Sequence, residues 1–435
     1  MVNPDQLDIQ LSPEELKVLS GAHGEVLQKV METVVLFGEA LGAERLVEIE
    51  GSGHFVIPWC YPGIAPPIDM LEELVNAGLK TKFPFTLDPY PPLDFENLNL
   101  ETEVEEAIEA MYADQDRYDE LISHLGLRDD QAYTCNPYQP EVGNIPERGT
   151  ILAWSESACA IYANAVLGAR TNRNGAIMDL LLNILGKTPL AGLLTDEGRK
   201  ANWLVDIRTQ RLPDPQLLGA VIGLKLLSGV PFITGLDRFL NPDLDEDTRD
   251  YLQEMGAMIA TYSAVDLFHV EHITPEAADI GRDLLRPEYE SCIINETDLE
   301  NVLDSFPVQW DDPEAKPEKC YIGCPHLSLD LIYTWAERIE RELNVQGQEH
   351  LAVDTVLCAA PQVLEKFQHD QDTYQRMLEV GVRFSPTCSE TIFETGLCAG
   401  KPVVTSSNKL RAYTSARYYG DRKLVEILVK GNVDG

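Results

Sequence analysis

The chain has 435 residues, 44% of them hydrophobic and 24% charged, ordinary values for a globular protein at a length that calls for two or three domains. Asp and Glu number 72 against 34 Lys and Arg, a formal net charge of −38, and a surface of that sign repels nucleic acid and anionic membrane, whose phosphates are met by cations. No apolar run reaches the roughly 18–20 residues of a membrane span, and residues 1–10 lack the layout of a secretory signal, so a cytoplasmic protein without membrane or nucleic-acid partners is expected.

Ser12-Pro13-Glu14-Glu15 opens the first helix with a capping Ser, a Pro at the first helical position and a Glu three residues after the cap. A second amphipathic helix is predicted from about Glu25 to Leu41, ending at Gly42, and a strand over Arg45–Ile49. Then come a helix over Ile68–Ala77, a strand over Lys82–Leu87 and a long acidic helix over about 103–124. Strand-like Gln131–Tyr133 precedes a helix over Ser155–Leu167. Helix 214–228 is followed by strand Pro231–Thr234, and helix 247–263 by strand Val265–Val270. Lys319–Ile322, Val353–Cys358, Val382–Phe384 and Val403–Val404 are further strands, each followed by a helical pattern; Ser328 caps the first of those helices. This alternation predicts an α/β fold with parallel sheets of βαβ units. The expected domains are 1–130, 131–306 and 319–435, joined across the polar, proline-bearing stretch 307–318.

Nine cysteines, an odd number in a long chain without a signal, argue for thiols in a reducing compartment. Cys60, Cys159 and Cys358 lie in apolar patterns and read as packing residues; Cys320, in a strand-like run, is read as structural. Cys135, Cys324 and Cys388 share a different setting. Each follows a strand-like run, precedes a helical one, and sits beside Pro or small polar residues. That is the carboxyl edge of a parallel sheet, where ligands collect. Their wide separation resembles neither a zinc ribbon nor a ferredoxin run, so spacing leaves two readings open: three convergent metal ligands, or unrelated thiols. No Walker loop, strand-linked G-x-G-x-x-G, G-x-S-x-G or H-E-x-x-H occurs. His269-x-x-His272 has a zinc-like spacing, but on a strand these positions point to different faces.

The segments Ala153-Trp154-Ser155-Glu156-Ser157 and Asn164-Ala165-Val166-Leu167-Gly168-Ala169-Arg170-Thr171-Asn172-Arg173, with Gly192-Leu193-Leu194, Leu267-Phe268-His269-Val270-Glu271 and Gly323-Cys324-Pro325-His326, resemble the aconitase X family over nearly the whole chain. The resemblance implies an aconitase-like multi-domain fold and a hydro-lyase acting on a small β-hydroxy-carboxylate, with family substrates in phosphorylated mevalonate and cis-3-hydroxyproline. It implies that Cys135, Cys324 and Cys388 hold an iron–sulfur cluster, of four-iron or three-iron rather than two-iron type. It also implies that a separate small swivelling-domain subunit completes the site and carries the base. The chain is expected to lack that small domain.

Asn164, Arg170, Thr171, Asn172 and Arg173 are expected to bind substrate. Guanidinium forks suit carboxylate or phosphate, and on so acidic a chain an anion must be met by a locally basic pocket; ordinary salt bridging is the alternative. Ser406, Ser407 and Lys409 offer hydroxyls and an ammonium to an anion, or simply a helix cap. Glu156, His269 and His326 are the candidates for proton transfer, although Glu156 could serve a helix N-terminus and His269 could be a core histidine.

Several stretches depart from the family pattern. Asn174-Gly175-Ala176 replaces Glu-Gly-Gly, Gly51-Ser52-Gly53-His54 replaces a serine-rich turn, and Thr86-Leu87-Asp88-Pro89 adds a negative charge. His272 stands where Gly is usual, and Ser389-Glu390 follows Cys388 in place of apolar residues. A divergent, non-catalytic binding subunit is therefore the competing hypothesis, and a zinc site on the same thiolates a third.

Overall fold

Local capping sets the first elements of the computed structural model, which describes residues 6–56 and 65–433; Cys60 lies outside the described residues. The Ser12 hydroxyl accepts from Glu15 N–H at 3.3 Å, and the Glu15 carboxylate accepts from Ser12 N–H at 2.7 Å, opening helix Pro13–Leu19. Four short strands follow in the N-terminal region: β1 (Leu46–Glu48), β2 (His54–Phe55), β3 (Thr86–Leu87) and β4 (Lys187–Pro189). β1 pairs antiparallel with β4, and β2 parallel with β3. The acidic helix expected over 103–124 is two helices, Thr102–Met111 and Gln115–Leu125. The break at 112–114 lets Tyr118, Leu121, Ile122 and Leu125 enter the same core as Val104 and Ile108.

The second region is built on β5 (Ala201–Ile207), β6 (Pro231–Thr234), β7 (His269–Val270) and β8 (Leu285–Ile294), all parallel, in the order β7-β6-β5-β8. The sequence pattern predicts neither β5 nor β8. β8 is an edge strand exposed from Pro287 to Ser291, so it lacks an alternating pattern, and β5 has no β-branched residue before Val205. The strand expected over Val265–Val270 shrinks to β7. The helix expected over Ser155–Leu167 is an α-helix at Ser157–Tyr162 that widens into a π-helical turn at Ala163–Leu167.

The third region holds β9 (Lys319–Leu327), β10 (Asp354–Ala359), β11 (Val382–Ser385), β12 (Val403–Thr405) and β13 (Arg417–Tyr418), all parallel, in the order β11-β10-β9-β12-β13. From β9 the chain steps outward to β10 and β11, then returns to the other side of β9 with β12. The direction of winding reverses there, and in open parallel sheets such a switch point opens a crevice at the carboxyl ends of the strands. The stretch 307–318 is irregular as expected, although Trp310 anchors it in the third core. Among the described residues, no helix is long and apolar enough to cross a membrane.

Candidate active site

The switch point positions Cys324. Ile322 pairs with Leu357 and Leu327 with Ala359, so β9 spends five residues where β10 spends two, and Gly323–His326 bulge out of the ladder. Gly323 is required there: its φ is 109°, and a Cβ would lie 2.2 Å from the Cys358 carbonyl oxygen. Cys135 follows the bridge between Leu87 and Tyr133, and Cys388 follows the bridge between Tyr90 and Thr387.

The three thiols interact in one place, Cys135 buried and Cys324 and Cys388 partly exposed. Burial is the first cause pushing each of them up, and charge on Cys324 raises both Cys135 and Cys388. Cys324 is pushed up to about 12 although the Lys409 ammonium and the Ser407 hydroxyl oppose the rise. His326 N–H donates to Cys135 Sγ at 3.0 Å. Cys135, Cys324 and Cys388 could together hold a metal centre.

His326 ties the loops together. Its Nδ1 lies 3.2 Å from Thr134 Oγ1, its Nε2 lies 3.2 Å from the Thr387 carbonyl, and Asn136 Nδ2 donates to its carbonyl oxygen. Burial lowers its pKa to about 4, so the ring is neutral and both nitrogens are engaged. Glu156 caps helix Ser157–Tyr162 by accepting from Cys159 N–H at 2.6 Å and pairs with Lys409 at 2.9 Å. Burial raises the Glu156 carboxyl, but Lys409 and the cap outweigh it and hold the group at about 2. Ser407 caps helix Asn408–Tyr413 and donates to the Cys324 carbonyl, which fastens the Lys409 segment to the bulge. Ser406 is buried beside it.

Three residues outside the predicted set join this place: His54, Asp88 and Glu390. His54 Nδ1 is 2.9 Å from Thr86 Oγ1, and its Nε2 faces Asp88 Oδ1 at 3.6 Å; neither of those last two atoms has a hydrogen-bond partner among the described residues. Asp88 is raised by burial first and by Glu156 next, and Asp88 and Glu390 both raise Cys388. These are three of the positions where the sequence departs from the family pattern. The signal was there, as an unusual residue in a strand-end loop.

The other predicted residues make their contacts with groups outside the three thiol loops, several of them holding backbone. Asn164, on the π-turn, donates to the Thr171 and Asp266 carbonyls and accepts from Thr171 N–H and Arg199 Nη1. Thr171 Oγ1 accepts from Trp154 N–H, and Asn172 bridges Ala191 and Leu193. Arg170 pairs with exposed Asp196 at 2.5 Å, and Arg173 with Asp266 at 2.9 Å. Buried Arg199, not foreseen, links Asn164 to Glu276 at 2.7 Å. His269 belongs to that second cluster: its Nε2 faces the Arg199 carbonyl at 2.9 Å, and burial lowers its pKa. His272 stands apart at φ 63°, a left-handed conformation that accounts for glycine as the usual residue there, and it faces Asp237.

The sequence profile of the aconitase X first domain matches residues 8–197, and that of the aconitase X second domain matches residues 201–304. The chain belongs to the aconitase X family. The phosphomevalonate dehydratase large subunit of Thermococcus kodakarensis is 33% identical over 75% of this chain and 76% of its own. The same-named protein of Methanocaldococcus jannaschii is 28% identical over 97% and 99%. The cis-3-hydroxy-L-proline dehydratase of Hypocrea jecorina is 29% identical over 95% of this chain but 65% of its own. The crystal structure of Thermococcus kodakaraensis aconitase X in its holo-form superposes with a TM-score of 0.78 at 27% identity, over 96% of this chain and 99% of the other. By this kinship the aconitase X chain described here is a dehydratase, a hydro-lyase.

Proposed function

We propose that the chain is a large subunit that dehydrates a small β-hydroxy-carboxylate, with an iron–sulfur cluster on Cys135, Cys324 and Cys388. The observation that carries this reading is the convergence of buried Cys135 with partly buried Cys324 and Cys388 beside the Glu156–Lys409 pair. Cys324 raises Cys135 and Cys388, and Cys135 raises Cys388, so the three are poor company as bare thiolates; a bound polynuclear cation relieves that repulsion, and the donor set fits the group. When bound, such a cluster supplies a Lewis-acidic iron for the leaving hydroxyl. The protein's own part is positional: His326 fixes the two outer cysteine loops, and Lys409 places positive charge against the thiols. Arg173 is held by Asp266, whose pKa burial raises to about 6, so an incoming carboxylate or phosphate competes for the guanidinium on favourable terms. The proton-abstracting base belongs to a small partner subunit, as the term large subunit among the relatives suggests, and the reduced thiols suit the cytoplasm.

Mevalonate 5-phosphate is the favoured substrate, because the relatives named for it match along most of their length, whereas the hydroxyproline enzymes extend well beyond the match. One observation favours the second reading: Asp88 and Glu390 add acidic groups at the thiols, which suits a substrate bearing an ammonium, such as cis-3-hydroxyproline. The test is anaerobic co-purification with the small subunit, iron and sulfide analysis, and assay of both substrates. Iron and activity should be lost together in Cys135→Ala, Cys324→Ala and Cys388→Ala. A colourless, iron-free protein that resists reconstitution would sink the mechanism.

A further inference from the structure

On a chain of net charge −38, basic side chains are scarce, yet three of them border one cavity. The cavity, about 380 Å³, lies where the segment entering 307–318 meets the last strand and helix of the third region; Arg411, Arg417 and Lys423 line it, and Asp304 is the one acid that does. None of the three predicted cysteines and no part of the Glu156–Lys409 pair lines it.

The cations are built in rather than scattered. Arg411 is 9% exposed; its guanidinium lies 3.8 Å from the Phe306 ring centroid and donates to Asn408 Oδ1. Burial alone draws its pKa down to about 10, with no carboxylate countering it. Arg417 lies 5.5 Å from the Trp310 ring centroid and 5.4 Å from that of Tyr419. Among the described residues, neither arginine nor Lys423 has an ion-pair partner, while nearby acids are engaged: Asp214 accepts from Tyr418 Oη and Asp421 pairs with Arg338. Gly420, which also lines the cavity, starts the ten-residue helix Asp421–Lys430 with no side-chain cap. A buried guanidinium without an ion-pair partner, as at Arg411, is costly without an anion and useful with one, and the partly exposed Arg417 and Lys423 add charge of the same sign beside it.

We propose that this cavity binds a small phosphorylated anion, held by Arg411, Arg417 and Lys423, with its carbon skeleton against Pro307. The site stands apart from the thiols: Lys409 and Arg411 sit two residues apart on one short helix and so project to opposite sides, the first to Glu156 and the second to the cavity.

The test is calorimetric titration of the full chain with inorganic phosphate and with glycerol 3-phosphate, in chloride buffer. Saturable 1:1 binding is expected, weakened about tenfold or more by Arg417→Gln and by Lys423→Gln separately, since each removes a charge-assisted contact. Asp304→Asn, which deletes the single acid of the lining, should tighten it. Tighter binding of the ester assigns Pro307 a share of the contact; equal binding assigns the phosphate alone. Binding that survives both cation variants, that is lost instead in Cys388→Ser, or that is absent altogether overturns the proposal. Thermal unfolding of each variant confirms that it is folded, and Lys423→Gln, at a partly exposed position, carries the test if Arg417→Gln does not fold.

Discussion

Two regions of the molecule drew attention in the sequence, and the fold treats them in opposite ways. The Gly168–Arg173 loop is contiguous, and most of its polar side chains are spent locally: Asn164 and Thr171 hold one another, Asn172 holds the next turn, and the arginines pair with Asp196 and Asp266. The thiol centre is drawn from β9, β12 and the loops after Tyr133 and Ser385; its partners come from distant parts of the chain, as in the Glu156–Lys409 pair and the His326 N–H to Cys135 Sγ bond, and His54 Nε2 and Asp88 Oδ1 have no hydrogen-bond partner among the described residues. A recognisable motif can therefore make most of its contacts with its own surroundings, while the thiol centre exists only where topology brings distant loops together.

Substitutions can break or sharpen this contrast. The largest effect is expected for Lys409→Ala, which leaves Glu156 charged and unpaired in the interior; about 3–5 kcal/mol of stability should be lost in denaturant titration. Lys409→Met combined with Glu156→Gln should cost much less than the two changes added. Asn164→Ala, beside the Gly168–Arg173 loop, strands Thr171 N–H and leaves Arg199 Nη1 only its longer bond to the Leu193 carbonyl, for a loss of about 1–3 kcal/mol in the same measurement. Asp179, which accepts from Asn174 Nδ2 just after the loop, is raised by burial to about 7. The folded state then holds that proton over a range where the unfolded chain has released it, so stability falls as pH rises from about 4 to 7. Asp179→Asn should flatten that part of the profile and raise the melting temperature at pH 8, by an amount worth about 1–2 kcal/mol. The smallest effect is expected for Arg170→Ala. Its partner Asp196 is 88% exposed, so stability should change by less than about 1 kcal/mol. A rise in KM without loss of stability would assign Arg170 to substrate.

Capping and composition explain what could be read early. Ser12 and Glu15 form a reciprocal cap because side-chain chemistry alone decides it, and Ser328 opens Leu329–Gln346 for the same reason. Pro231–Thr234, an apolar run between helices, occurs as expected because a strand covered on both faces has to be apolar. The stretches Gln131–Tyr133 and Val265–Val270 had strand character too, yet they supply a single bridge and two paired residues, because pairing also needs a neighbour in register. His54, Asp88 and Glu390 were visible as oddities, but nothing in a linear chain tells three separate loops that they meet.

The sequence by itself determined the alternation of helix and strand, the caps, the anionic surface and the kinship with aconitase X, because these follow from periodicity, local hydrogen bonding, charge and residue patterns. The tertiary structure decided the rest. The order β11-β10-β9-β12-β13 puts the ends of β9 and β12 side by side, and the bulge at Gly323–His326 turns Cys324 toward that crevice. Burial then sets which charges are expensive. Proximity between residues far apart in the chain, and the loss of water around them, exist only once the chain has closed on itself.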